Sequence, residues 1–131
     1  MTRIALVTLV VDDYDEAIRF YTEALGFRLA EDAPRPDGSR WVVVEPGDAA
    51  GGAALLLARA KGEAQRSRIG DQTGGRVGFF LYTDDFVRDH ARMAAAGVTF
   101  LEEPRHEPYG RVAVFQDLYG NRWDLLQPAA S

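Results

Sequence analysis

VVDDYDEAIRFYTEALGF, residues 10–27, and LYTDDFVRDHARMAAAGVTF, residues 81–100, carry the same punctuation in the same order. Each begins at the end of a β-rich run, passes an acidic pair that can cap a helix, continues with apolar residues at helical spacing, and reaches a glycine. In the first stretch Asp13 is placed to accept free N–H groups of the opening turn, and Glu16 stands three residues on, the spacing of a capping box. Tyr14, Ala17, Ile18, Tyr21 and Leu25 make one apolar stripe, and Gly26 can end the helix with positive φ. In the second stretch Asp84 and Asp85 precede a helix running to Ala96, with Gly97 after it. Asp12-Asp13-Tyr14 aligns with Asp84-Asp85-Phe86 at an offset of 72; one deletion in the second helix makes it 71, which pairs Gly26 with Gly97 and Arg40 with Arg111.

Working outward, Ile4 to Val11 reads as a buried strand before the first helix, with Leu6 and Thr8 on one face and Val7 and Leu9 on the other. Gly26 to Leu29 reads as a short strand, Ala33 to Ser39 as a turn, Arg40 to Glu45 as a longer strand and Ala53 to Ala58 as the last of the set. The second half repeats the order with strands Val77 to Tyr82, Val98 to Leu101, Arg111 to Gln116 and Trp123 to Gln127. The expected class is therefore α+β, two tandem βαβββ modules forming curved mixed sheets around a pocket, and the repeat reads as an internal duplication. Module one spans 1–58, a polar, glycine-containing linker 59–75 and module two 76–131, all within a single domain 1–131.

Composition narrows the function. Twenty acidic against fifteen basic residues give a net charge of −5, and the cations are scattered, so nucleic acid is not an expected partner. No run is long and apolar enough to span a membrane and the N-terminus lacks the design of a secretory signal, so a cytoplasmic location is expected and no membrane partner. The absence of cysteine excludes disulfides, thiolate metal sites and cysteine nucleophiles. There is no phosphate-binding loop, no dinucleotide fingerprint and no nucleophile elbow.

DDYDEAIRFYTEALGF after an apolar strand, and VFQDLYGNRWDLLQP near the C-terminus, resemble the vicinal-oxygen-chelate superfamily of glyoxalase I, extradiol dioxygenases, fosfomycin-resistance enzymes and bleomycin-binding proteins. The resemblance extends over essentially the whole chain and implies a pocket walled by the sheets, often completed by a second chain in a homodimer. It also implies four metal-ligand places, on the first and last strand of each module. These fall at Leu6, Gly78, near Leu55 and at Asp124. Of these only Asp124 offers a donor, and one carboxylate does not make a selective site, so no metal and no cofactor are expected.

The candidate ligand-binding residues are Leu6, Thr8, Phe80, Tyr82, Tyr109, Arg111, Arg122 and Asp124. Alternation puts Phe80 and Tyr82 on the face of Gly78, and Arg122 and Leu126 on that of Asp124. Asp124 is the one catalytic candidate, as a general base of raised pKa; a hydrogen-bonded polar residue inside the pocket is the competing reading. Trp41, Trp123, Phe79 and Phe80 read mostly as core at alternating strand positions, and any that faces inward gives the pocket an apolar, stackable lining. His90 falls in the second helix, and His106 sits in a polar loop, EEPRHEPYGR, at the pocket lip or in solvent. The expected function is a metal-independent small-molecule-binding protein, sequestering a drug or metabolite with Asp124 and Arg111 or Arg122 as polar anchors. A lyase or dioxygenase is the alternative, metal-dependent or using Asp124 as base, and a ligand-free scaffold is the third reading.

Overall fold

A computed structural model describes residues 1–47 and 52–130. Their contacts gather into two units, Met1–Ile69 and Gly70–Ser131, with the boundary inside the expected linker. In the first, strand β1 (Leu6–Val11) leads into α1 (Tyr14–Arg19), followed by β2 (Phe27–Pro34), β3 (Arg40–Pro46), β4 (Ala54–Arg59) and a short helix α2 (Gly62–Arg66). The sheet order is β1-β4-β3-β2, with β1 and β4 parallel and the other pairs antiparallel. The second unit has β5 (Val77–Tyr82), α3 (Phe86–Ala95), β6 (Thr99–Phe100), β7 (Arg105–Glu107), β8 (Gly110–Gln116) and β9 (Arg122–Pro128). Its order is β5-β9-β8-β6, with β7 also on β8 and β5 parallel to β9. These are the tandem βαβββ modules of an α+β chain.

Local chemistry sets the helix boundaries. Asp13 accepts the Glu16 N–H at 2.8 Å, and Asp85 accepts that of Arg88 at 3.1 Å, so each module's helix starts on an aspartate cap. Past Arg19 the first helix widens into a π-helical stretch, Phe20–Ala24, closed by the Leu25 N–H on the Phe20 carbonyl at 3.2 Å. Gly26 and Gly97 follow with φ of +74° and +91°, a turn out of the helix that a side chain would oppose. Leu9, Val11, Ala17, Tyr21, Val42, Val44 and Leu57 are sealed between the first sheet and its helix, and Phe86, Met93, Ala113, Phe115, Trp123 and Leu125 between the second sheet and α3.

Three features differ from the sequence reading. β2 continues to Pro34 instead of stopping at Leu29, because a bulge between Leu29 and Glu31 lets it stay paired with β3, and the turn tightens to Arg35–Ser39. The linker holds α2. The expected loop before β8 contains a three-residue strand, β7, that pairs Arg105 with Val112 and His106 with Arg111.

The Asp-x-x-Gly-Asn turn between β8 and β9 is a closed polar knot. Asp117 and Asn121 are each 4% exposed. Asp117 Oδ1 accepts the N–H groups of Asn121 (2.9 Å) and Tyr119 (3.1 Å); its Oδ2 accepts Asn121 Nδ2 (2.9 Å) and the Trp123 indole (3.4 Å). Asp117→Ala would strip the acceptor from four donors, buried ones included, and is expected to cost roughly 2–4 kcal/mol of stability, read from urea unfolding midpoints.

Candidate functional site

Strand alternation gives the second sheet two unlike faces. On the side of α3 a chain of rings runs from Phe86 through His90, Phe100, Phe115 and Trp123 to Phe79, with successive centroids 5.4, 4.0, 5.7, 5.8 and 4.6 Å apart. His90 is therefore a half-buried member of the helix packing. On the opposite face the register sets Phe80 beside Asp124 and Tyr82 beside Leu126, with Val114 and Val112 on the far side of the same two residues. Phe80 and Tyr82 are 61% and 66% exposed, an unusual state for two large aromatic side chains on neighbouring positions of one strand face.

Asp124 is only 7% exposed, and its Oδ1 has no hydrogen-bond partner among the described residues. Burial among apolar neighbours pushes its carboxyl above the ordinary range; the charge of Arg105 pulls it down and that of Glu102 pushes it further up. Arg105 was not among the candidates, yet register places it on this face, opposite Val112, which itself pairs with Leu126. Its guanidinium bonds Glu102 at 2.9 Å, Glu107 at 3.2 Å and the Tyr109 hydroxyl, and these partners hold it firmly charged. Glu102 is fixed in turn by the Val114 N–H at 3.0 Å. The signal for this cluster was the alternation of Arg105, His106 and Glu107 opposite Gly110, Arg111 and Val112, too short to read as a strand.

The remaining candidates do not all meet Asp124. Arg122 shares its face by alternation and is exposed, paired in register with Val77 and Gln116. Tyr109 lies half-exposed in the β7–β8 turn. Arg111 falls on the other face, opposite Gln127, with its Cζ 4.8 Å from the centre of the Phe86 ring. In the first unit Leu6 and Thr8 lie on the exposed side of β1, beside Ala54 and Leu56.

The metal places implied by the resemblance can be tested on this geometry. Thr8 pairs with Leu56 as Phe80 pairs with Asp124, so Leu56 is the counterpart of Asp124, and Leu55 turns to the helix side with Leu57. Gly78 sits in a bulge, where a Cβ would meet Thr73 Cγ2 at 2.6 Å. At these places the first unit offers only leucine and threonine, and the second phenylalanine, glycine and one carboxylate; among the described residues no three His, Asp or Glu side chains group as a cation site. The residues present do not fit a chelated divalent metal.

Paired βαβββ modules, each with one helix-covered face, define the class of protein to which this chain's fold belongs. Residues 3–125 match the Glyoxalase/Bleomycin resistance protein/Dioxygenase superfamily, and the chain belongs to it. An uncharacterized protein of Shewanella frigidimarina is 54% identical over 92% of this chain and 90% of its own. Among solved structures, UcmS2 is 32% identical with a TM-score of 0.83, covering 96% of this chain and 98% of its own. TnmS3, an antibiotic binding protein from Streptomyces sp. CB03234, is 33% identical with a TM-score of 0.78, covering 98% of both chains. No helix among the described residues is long and apolar enough to cross a membrane.

The direction of the Asp124 shift fixes a pH dependence. A carboxyl whose pKa is higher folded than unfolded favours folding most when protonated, below its unfolded pKa of about 3.8, and that contribution is lost as pH rises through the higher folded value. At pH 7 the ionised group therefore weighs against the fold. Asp124→Asn is expected to raise the melting temperature at pH 7 by roughly 3 °C, with the gain shrinking toward pH 4. A thermal-shift series from pH 4 to 8 reads both.

Proposed function

We propose that the chain is a metal-independent small-molecule-binding protein that sequesters an organic ligand, a drug or metabolite, against the face of the second sheet opposite α3. The observation that carries this reading is the unpartnered oxygen of buried Asp124 beside the exposed rings of Phe80 and Tyr82. A buried acceptor without a donor carries a desolvation cost that a ligand N–H or O–H can relieve, and exposed aromatic faces gain by stacking on a flat apolar body. The ligand chemistry that answers both is a planar or aromatic skeleton bearing a protonated amine or hydroxyl. The net charge of −5 favours the cationic version. Arg122 and Tyr109 serve as polar edges of the same surface, and Leu6 and Thr8 give the first module a smaller apolar surface of its own. The likeness to an antibiotic binding protein supports the reading.

The proposal includes a homodimer in the cytoplasm. It is supported by β1, an edge strand of its sheet on which Leu6 and Val7 are 37% and 43% exposed. Light scattering at twice the chain mass is the expected result.

Calorimetry against a panel of aromatic antibiotics, amine-bearing and neutral, tests the binding reading. Phe80→Ala is expected to weaken binding about 10-fold throughout, and Asp124→Asn about 10- to 100-fold for amine-bearing members only. A panel without binders, or affinities indifferent to both substitutions, would sink it. Elemental analysis after dialysis against zinc, manganese, iron and nickel is expected to find metal far below one per chain; a ratio near one would overturn metal independence and favour a lyase or dioxygenase.

A further inference from the structure

Arg40 opens β3, Arg111, 71 residues on, is the second residue of β8, and each lays its guanidinium group on the aromatic residue that starts its module's crossover helix. The Cζ of Arg40 is 5.1 Å from the centre of the Tyr14 ring, and that of Arg111 is 4.8 Å from that of Phe86. The same stack is thus built twice, with different surroundings. Arg40 is closed on two sides by carboxylates: its Nε and Nη2 fork onto the two oxygens of Asp32 at 3.1 and 2.8 Å, and Nη2 also meets Asp15 at 2.9 Å. Arg111 has neither partner. The second residue of its helix, where the first module has Asp15, is the 62%-exposed Val87, and Glu103, 71 residues after Asp32, is exposed and makes no ion pair among the described residues. The Nε of Arg111, the counterpart of the atom that Arg40 gives to Asp32, is shut from solvent with no partner.

Arg111 lines a depression of about 560 Å³ with Asp84, Asp85, His106, Glu107 and Gln127 among its walls. The three acids are engaged elsewhere: Asp84 pairs with Arg88 at 3.2 Å, Asp85 caps α3, and Glu107 pairs with Arg105. Gln127 spends its Oε1 on the Phe86 N–H at 2.8 Å, which leaves its amide NH2 as a further donor. We propose that this depression is a second ligand site, separate from the Asp124 face, that takes the carboxylate of a small organic acid on the terminal Nη groups of Arg111, with the Gln127 amide NH2 as a further donor. The first module supplies the template for the missing partner: a carboxylate on the guanidinium Nη2, which Asp32 and Asp15 both reach on Arg40. A guanidinium already stacked on a ring and held in one orientation loses little freedom on pairing.

The test follows the Arg111 Nε–H resonance during titration with acetate, and with sodium chloride at equal ionic strength. Acetate is expected to move it saturably at millimolar concentration and chloride to leave it in place. Val87→Asp, an acidic substitution in the first turn of a helix at an exposed position, should preserve the fold and occupy the place that Asp15 holds in the first module. It is expected to weaken acetate binding about 10-fold. Acetate is also expected to move the Gln127 amide NH2 saturably, and Arg111→Lys, which keeps the charge and loses the planar guanidinium, should abolish that shift. Equal responses to acetate and chloride, which is screening alone, would overturn the proposal, as would an acetate affinity indifferent to Val87→Asp. So would a resonance already shifted and unresponsive in carboxylate-free buffer, the sign of a carboxylate of the chain itself in that place.

Discussion

A sheet has two faces, and the βαβββ order gives each sheet one crossover helix between its first two strands, so a module can seal only one face with its own residues. The parallel closure of β1 on β4, and of β5 on β9, depends on that crossover, because parallel neighbours cannot be joined by a tight hairpin. The aspartate caps at Asp13 and Asp85 and the glycines after each helix set where the crossover begins and ends. The apolar residues of each strand divide accordingly. Leu9, Val11, Phe115 and Leu125 go under the helix, while Leu6, Thr8, Phe80 and Tyr82 stay on the side that the helix cannot reach. The candidate binding face is thus a consequence of topology before it is a matter of particular side chains.

Signals that are local in the chain were legible. An aspartate before an apolar helical stripe and a glycine after it act within one turn, so helix positions followed from residues 10–27 and 81–100 alone. Alternation, which is also local, grouped Phe80 with Tyr82 and Asp124 with Leu126, while the resemblance implied that the two groups share a face, as their register has it. What escaped were features decided by partners far along the chain. β2 runs on to Pro34 because β3 continues to pair with it across a bulge. β7 exists because Arg105, His106 and Glu107 find β8 and because Glu102 and Glu107 hold Arg105 from either side. No pattern in three polar residues announces that. Arg111 was grouped with Asp124 as an anchor, but the face a strand residue takes depends on register with its neighbours, and pairing with Gln127 sends it toward Phe86.

The two modules share a scaffold and differ in where they leave polar groups unsatisfied. At the matched place on the last strand the first module has Leu56 and the second Asp124; on the arginine stack, the first module supplies Asp15 and Asp32 and the second supplies Val87 and an exposed Glu103. In both comparisons the first module is internally complete and the second carries an orphaned atom, Oδ1 in one case and Nε in the other. Buried polar groups without partners are a small minority in folded chains, and in low-dielectric surroundings each lowers stability. Two of the three such side-chain atoms among the described residues lie at positions where the sister module shows either an apolar replacement or a filled partner. A fold that can satisfy or dispense with these groups, and does so once, has the means to do so twice. On the proposed reading, bound molecules rather than the fold itself answer these two groups, and the proposed ligand chemistry then falls chiefly in residues 70–131.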